Sequence, residues 1–79
     1  MRRRRRQLLI TFSTTMAAME LEQRAAQRGI VGRLIPLPSE ISAGCGLAWK
    51  CELTVRREML DFMQTENLHW EMLYELELF

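Results

Sequence analysis

The sequence predicts an α+β domain with the element order β-α-β-β-α-β. Three observations carry this reading. Residues 7–12 and 69–78 alternate in hydropathy with the period of two that a strand requires. Residues 16–28 and 55–66 place their apolar letters at helical spacing. Gly29 and the prolines Pro36 and Pro38 supply the stops between them.

Taken in order, strand one is residues 7–12 (QLLITF), with Leu8, Ile10 and Phe12 on one face. Ser13, Thr14 and Thr15 follow with hydroxyls suited to cap a helix. Residues 16–28 (MAAMELEQRAAQR) are good helix formers. Ala18, Leu21 and Ala25 make the apolar stripe, with Glu20, Gln23, Arg24 and Gln27 outside it. Gly29 ends the helix.

Strand two is residues 30–35 (IVGRLI), closed by Pro36 and Pro38, which have no N–H to give a ladder. A connection rich in Pro, Ser and Gly spans residues 36–46. Strand three is residues 47–53, with Leu47, Trp49 and Cys51 facing inward and Ala48, Lys50 and Glu52 outward. Thr54 is expected to cap a helix over residues 55–66, whose apolar side is Met59, Leu60, Phe62 and Met63. Strand four is residues 69–78. Its expected core face is Trp70, Met72, Tyr74, Leu76 and Leu78, against His69, Glu71, Leu73, Glu75 and Glu77.

Two right-handed βαβ units interleaved in this order give a four-stranded antiparallel sheet with both helices on one face, the ferredoxin-like arrangement. The opposite face should carry Gln7, Thr11, Lys50, Glu71, Glu75 and Glu77. It is expected to be mostly wet, with Leu9 and Leu73 available to a homodimer.

Composition narrows the function classes. At 79 residues, 48% hydrophobic and 27% charged, the chain is one small domain rather than a multidomain enzyme or a low-complexity segment. Residues 1–6 read as a basic N-terminal tail and residues 7–79 as the domain. No run of about 18 apolar residues exists to cross a membrane. Arg2, Arg3, Arg4, Arg5 and Arg6 supply five of the eleven positive charges, which leaves six Lys and Arg against ten Asp and Glu elsewhere. An acidic body with a solvated basic tag argues against a nucleic-acid surface. Thr11, Ser13, Thr14 and Thr15 interrupt the apolar run that follows the arginines, so a cytoplasmic, reducing setting is expected, with Cys45 and Cys51 as free thiols. Neither cysteine has zinc or thioredoxin spacing, and no carboxylate pair or phosphate loop appears, so no metal and no cofactor is expected.

The topology brings three segments to one end of the sheet: Ser13 to Thr15, the long connection, and the entry to strand four at His69. Cys45 closes that connection, so it is expected near the start of helix one. A helix N-terminus favours a thiolate, the reactive form of cysteine. Gly44 and Gly46 would expose backbone amides and leave room for a reaction partner. The pattern therefore fits a nucleophilic or sulfur-carrying loop, and equally a small residue in a tight turn. Cys51 shares the face of Leu47 and Trp49 and should be an inert core residue. Six strand residues would hold the two sulfurs about 20 Å apart, too far for a disulfide. His69 reads as a surface histidine at a strand start.

Several segments resemble a known family. Thr11-Phe12-Ser13-Thr14-Thr15, Gly29-Ile30, Arg33-Leu34-Ile35-Pro36-Leu37-Pro38 and Ile41-Ser42-Ala43-Gly44-Cys45-Gly46-Leu47-Ala48 are similar to the small bacterial family of selenium/sulfur carrier-like proteins. The similarity runs over about residues 8–76, and Tyr74-Glu75-Leu76 fits its ending. The resemblance implies a carrier rather than an enzyme, holding sulfur or selenium on Cys45. It implies exchange with a cysteine desulfurase or an acceptor protein. Ser42, Gly44 and Gly46 carry over as the loop presenting the thiol, and Pro36 and Pro38 as its stiffener. The arginine tail and Cys51 have no counterpart in the family pattern. The competing expectation is a small regulatory or protein-interaction module in which Cys45 is incidental.

Overall fold

A computed structural model describes residues 5–41 and 44–78. The elements are β1 (Arg5–Thr11), α1 (Thr15–Arg28), β2 (Arg33–Pro36), β3 (Leu47–Glu52), a single 3-10 turn (Leu53–Val55), α2 (Arg56–Thr65) and β4 (Leu73–Leu78). The strands form one sheet in the order β2-β3-β1-β4, every neighbouring pair antiparallel. This is the ferredoxin-like fold.

Helix α1 begins and ends as its letters require. Thr14 is extended, and its hydroxyl accepts the Ala17 N–H at 3.1 Å. Gly29 takes the left-handed conformation at φ 69° and donates to the Ala25 carbonyl.

Register explains the core. Leu8 lies opposite Cys51 and Ile10 opposite Trp49. Together with Phe12 they meet Ala18, Leu21 and Ala25 of α1 and Met59, Phe62 and Met63 of α2 in one cluster. Both helices therefore cover the same sheet face. Full burial of side chains such as Leu8, Leu21 and Met59 contributes about 1.5–3 kcal/mol each.

Four expectations need correction. Strand one starts earlier, because Arg5 and Arg6 pair with Leu78 and Glu77. Strand two starts later, at Arg33: Gly32 at φ 152° turns the chain across the Trp49 indole. Thr54 does not cap the second helix. It sits in the 3-10 turn and donates to Glu52 at 3.4 Å, while Val55 precedes α2 without a side-chain cap bond.

Strand four is the largest correction, since its phase is inverted. Leu73 lies opposite Ile10 and packs on the core, which puts Tyr74 and Leu76 on the far face beside Leu9 and Gln7. Trp70 and Met72 are exposed. The cause is local. Thr11 donates to the Met72 carbonyl at 2.9 Å but accepts from Glu71 at 2.7 Å, and its hydroxyl takes the Met72 N–H at 3.2 Å. Two residues thus bond to one, and regular pairing begins only at Leu73. Glu75, now on the helix side, meets Arg6 at 3.9 Å and Arg56 at 3.6 Å. The uncovered face is less wet than expected. Leu9 and Ala48 are fully buried there, and Ile35, Tyr74 and Leu76 are half-buried.

An ion-pair clamp between the helices was also outside the sequence reading. Arg24 and Arg28 of α1 reach Glu66, just past α2, at 2.7 and 2.6 Å.

Two predictions follow from this packing. A Cβ on Gly32 would fall 2.5 Å from the Trp49 ring, so Gly32→Ala should cost about 2 kcal/mol in a denaturant titration. An unchanged midpoint would contradict the contact. Burial, helped by the Glu52 charge, pushes the Cys51 thiol from 9.0 up to about 11. A raised pKa means that the neutral thiol stabilises the fold below pH 9 and that this is lost as pH rises toward 11. The loss of unfolding free energy across that window should be smaller in Cys51→Val by on the order of 1–2 kcal/mol. Equal losses in both proteins would contradict it.

Candidate functional site

The loop joining β2 and β3 is tied at both ends before it reaches the thiol. Leu37 donates to the Gly46 carbonyl at 3.0 Å, extending the ladder one step past the Pro36–Leu47 pair. Ile41 donates to the Pro38 carbonyl at 3.0 Å, which closes a turn inside the loop. Pro36 is the last residue of the edge strand, a place where a missing N–H is tolerated. Gly46 then takes φ 75° and redirects the chain into β3, a conformation costing an L-residue roughly 1–2 kcal/mol.

Cys45 is a free, half-buried thiol that packs against the core cluster. Its sulfur faces the backbone of Leu47. The Leu47 N–H donates to Sγ at 3.4 Å, and Sγ lies 3.5 Å from the Leu47 carbonyl as a donor. One bond suits the sulfur as an acceptor, the other suits the protonated thiol. Both states therefore have a backbone partner two residues away.

Gly44 fixes where this thiol sits. A Cβ built on it would lie 2.9 Å from the Ser13 carbonyl oxygen, so the two backbones approach more closely than a side chain permits. Ser13 stands immediately before Thr14, the cap of α1. The Cys45 loop and the helix start are thus in contact. The first turn of α1 contains no acidic residue, so the positive end of its dipole is not neutralised locally. Of the expected site residues, Gly44, Gly46, Pro36, Pro38, Ser13, Thr14 and Thr15 gather with Cys45 at this end of the sheet. Ser42 lies outside the described residues.

His69 reaches the same end but does not engage the sulfur, whose bonds go to Leu47. It is exposed and lines a shallow cleft of about 370 Å³ with Ser13, Thr14, Met16 and Trp70. Cys51 is buried in the sheet and kept neutral to high pH. Among the described residues, no group of three His, Cys, Asp or Glu side chains could hold a metal ion. No helix among them is long and apolar enough to cross a membrane. The sequence reading missed the exposed apolar rim formed by Met16, Trp70 and Met72. One signal was available, since Met16 falls off the stripe of Ala18, Leu21 and Ala25.

No curated protein and no solved structure matches the chain. Residues 7–75, from within β1 to within β4 and including the whole Cys45 loop, match the family described as "Putative Se/S carrier protein-like". The chain therefore belongs to the Se/S carrier protein-like family.

Proposed function

We propose that this protein carries sulfur or selenium on Cys45 and passes it to a partner protein. The observation that supports this most is the double hold on one thiol. The Leu47 amide donates to Sγ at 3.4 Å, and Gly44 seats the loop against the residue that opens α1. Family membership points the same way. Half-burial also suits a carrier: a sealed thiol such as Cys51 cannot meet a donor, and a fully exposed one would lose its cargo to any passing thiol.

In the loading step the Cys45 thiolate attacks the outer sulfur of a persulfide on a donor such as a cysteine desulfurase. A new S–S bond forms at Cys45, the donor's S–S bond breaks, and the donor cysteine leaves as a thiolate. The exchange needs no external oxidant or reductant. Unloading is the same step in reverse polarity, with an acceptor thiolate attacking the outer atom and Cys45 as leaving group. Selenium would travel as a selenosulfide through the same bond changes. Gly44 and Gly46 leave the approach open, the Leu47 amide donates to the anion, and Pro36 and Pro38 present the loop.

Incubation with a cysteine desulfurase and labelled cysteine should add one sulfur atom per chain by intact mass, mapped to Cys45 and absent in Cys45→Ser. Label on Cys51, or none in the wild type, would contradict the proposal.

A further inference from the structure

The cleft at the helix start does not end there. A second one, of about 620 Å³, runs along the exposed side of α1 between Met19, Glu22 and Gln23. Both clefts are lined by Met16 and Glu20, so they adjoin as one groove surface along the helix from Trp70. Large apolar side chains stand exposed along it. Met16 is 79% exposed, Met19 57% and Trp70 40%, with Met72 at 49% beyond. Its charges are of one sign. Among the described residues, Glu20 and Glu22 line it and no Lys or Arg does. The next arginine along α1, Arg24, is held by Glu66 at 2.7 Å.

These features identify the kind of occupant. Methionine side chains adapt to varied apolar partners, and an exposed tryptophan beside them is a typical anchor. Carboxylates along such a groove select Lys and Arg on the incoming chain and disfavour acidic ones. The head of the groove is formed by Ser13, the residue against which Gly44 of the thiol loop packs.

We propose that this groove docks a basic, amphipathic segment of the protein that exchanges sulfur with Cys45, laying its apolar side on Met16, Met19 and Trp70 and its basic side against Glu20 and Glu22. That the docked protein exchanges sulfur rests on the carrier reading; the docking itself does not. Occupancy would bring the partner's reactive group to the rim where the Cys45 loop meets α1.

The test uses the full chain and a probe independent of sulfur, a Leu/Lys amphipathic helical peptide of about five turns. Amide shifts on titration should centre on residues 13–23 and 69–72. The dissociation constant should weaken about tenfold in E20K/E22K, and also in Trp70→Ala. A peptide with Glu in place of Lys should leave the spectrum unchanged. Each substituted side chain is exposed, and retained melting temperature verifies the fold. Three results would overturn the proposal. They are no shifts, shifts centred on the acidic end of β4 at Glu75 and Glu77, or groove shifts that depend on protein concentration without peptide, which would make a second copy the occupant. A chain that binds the peptide as described but takes no label on Cys45 would retain the docking surface and lose the carrier reading.

Discussion

The contact on which the site depends is between two stretches of backbone. Gly44 lies so close to the Ser13 carbonyl that a methyl group would not fit between them. That approach joins the β2–β3 loop to the start of α1, although Ser13 and Gly44 lie 31 positions apart in the chain. Glycine alone allows it, and the ferredoxin-like topology supplies it, because the antiparallel order places the end of β1 beside the start of β3. Thr11 and Ala48 are paired across that ladder, so the segments leaving them begin as neighbours.

The same sheet gives two cysteines opposite fates. Cys51 stands opposite Leu8 in the middle of a ladder, with helices above it, and burial holds its proton to high pH. Cys45 stands two residues before the strand begins, where alternation still turns it toward the core but the loop leaves it half open. A displacement of six positions along one strand and its approach thus separates a sealed thiol from a half-open one. The methionines divide in a similar way. Met59 and Met63 fill the core, whereas Met16 and Met19 lie on the outer side of α1.

Elements carried by one strong local signal were legible in the sequence. The hydroxyl run Ser13, Thr14 and Thr15 and the stop at Gly29 bounded α1, and the stripe of Ala18, Leu21 and Ala25 gave its buried face. The gathering of the Cys45 loop with the start of α1 followed from element order alone. What escaped depended on contacts between distant residues. The phase of β4 was misread because the more apolar of its two alternating faces is the one turned away from the helices, and Thr11 shifts the pairing by bonding to both Glu71 and Met72. The ion pairs of Glu66 with Arg24 and Arg28 link two helices, and no periodicity within either one announces them. Gly32 looked like a strand residue because the indole it crosses belongs to β3.

The most direct measurement of the central claim is the rate at which Cys45 acquires sulfur in Gly44→Ala. The added Cβ would meet the Ser13 carbonyl and push the loop off the helix start without touching the core. The account predicts a loading rate lower by at least about tenfold, with Cys51 still protected and the melting temperature near that of the wild type. Loading at the wild-type rate would show that the thiol does not depend on its seat at the head of α1.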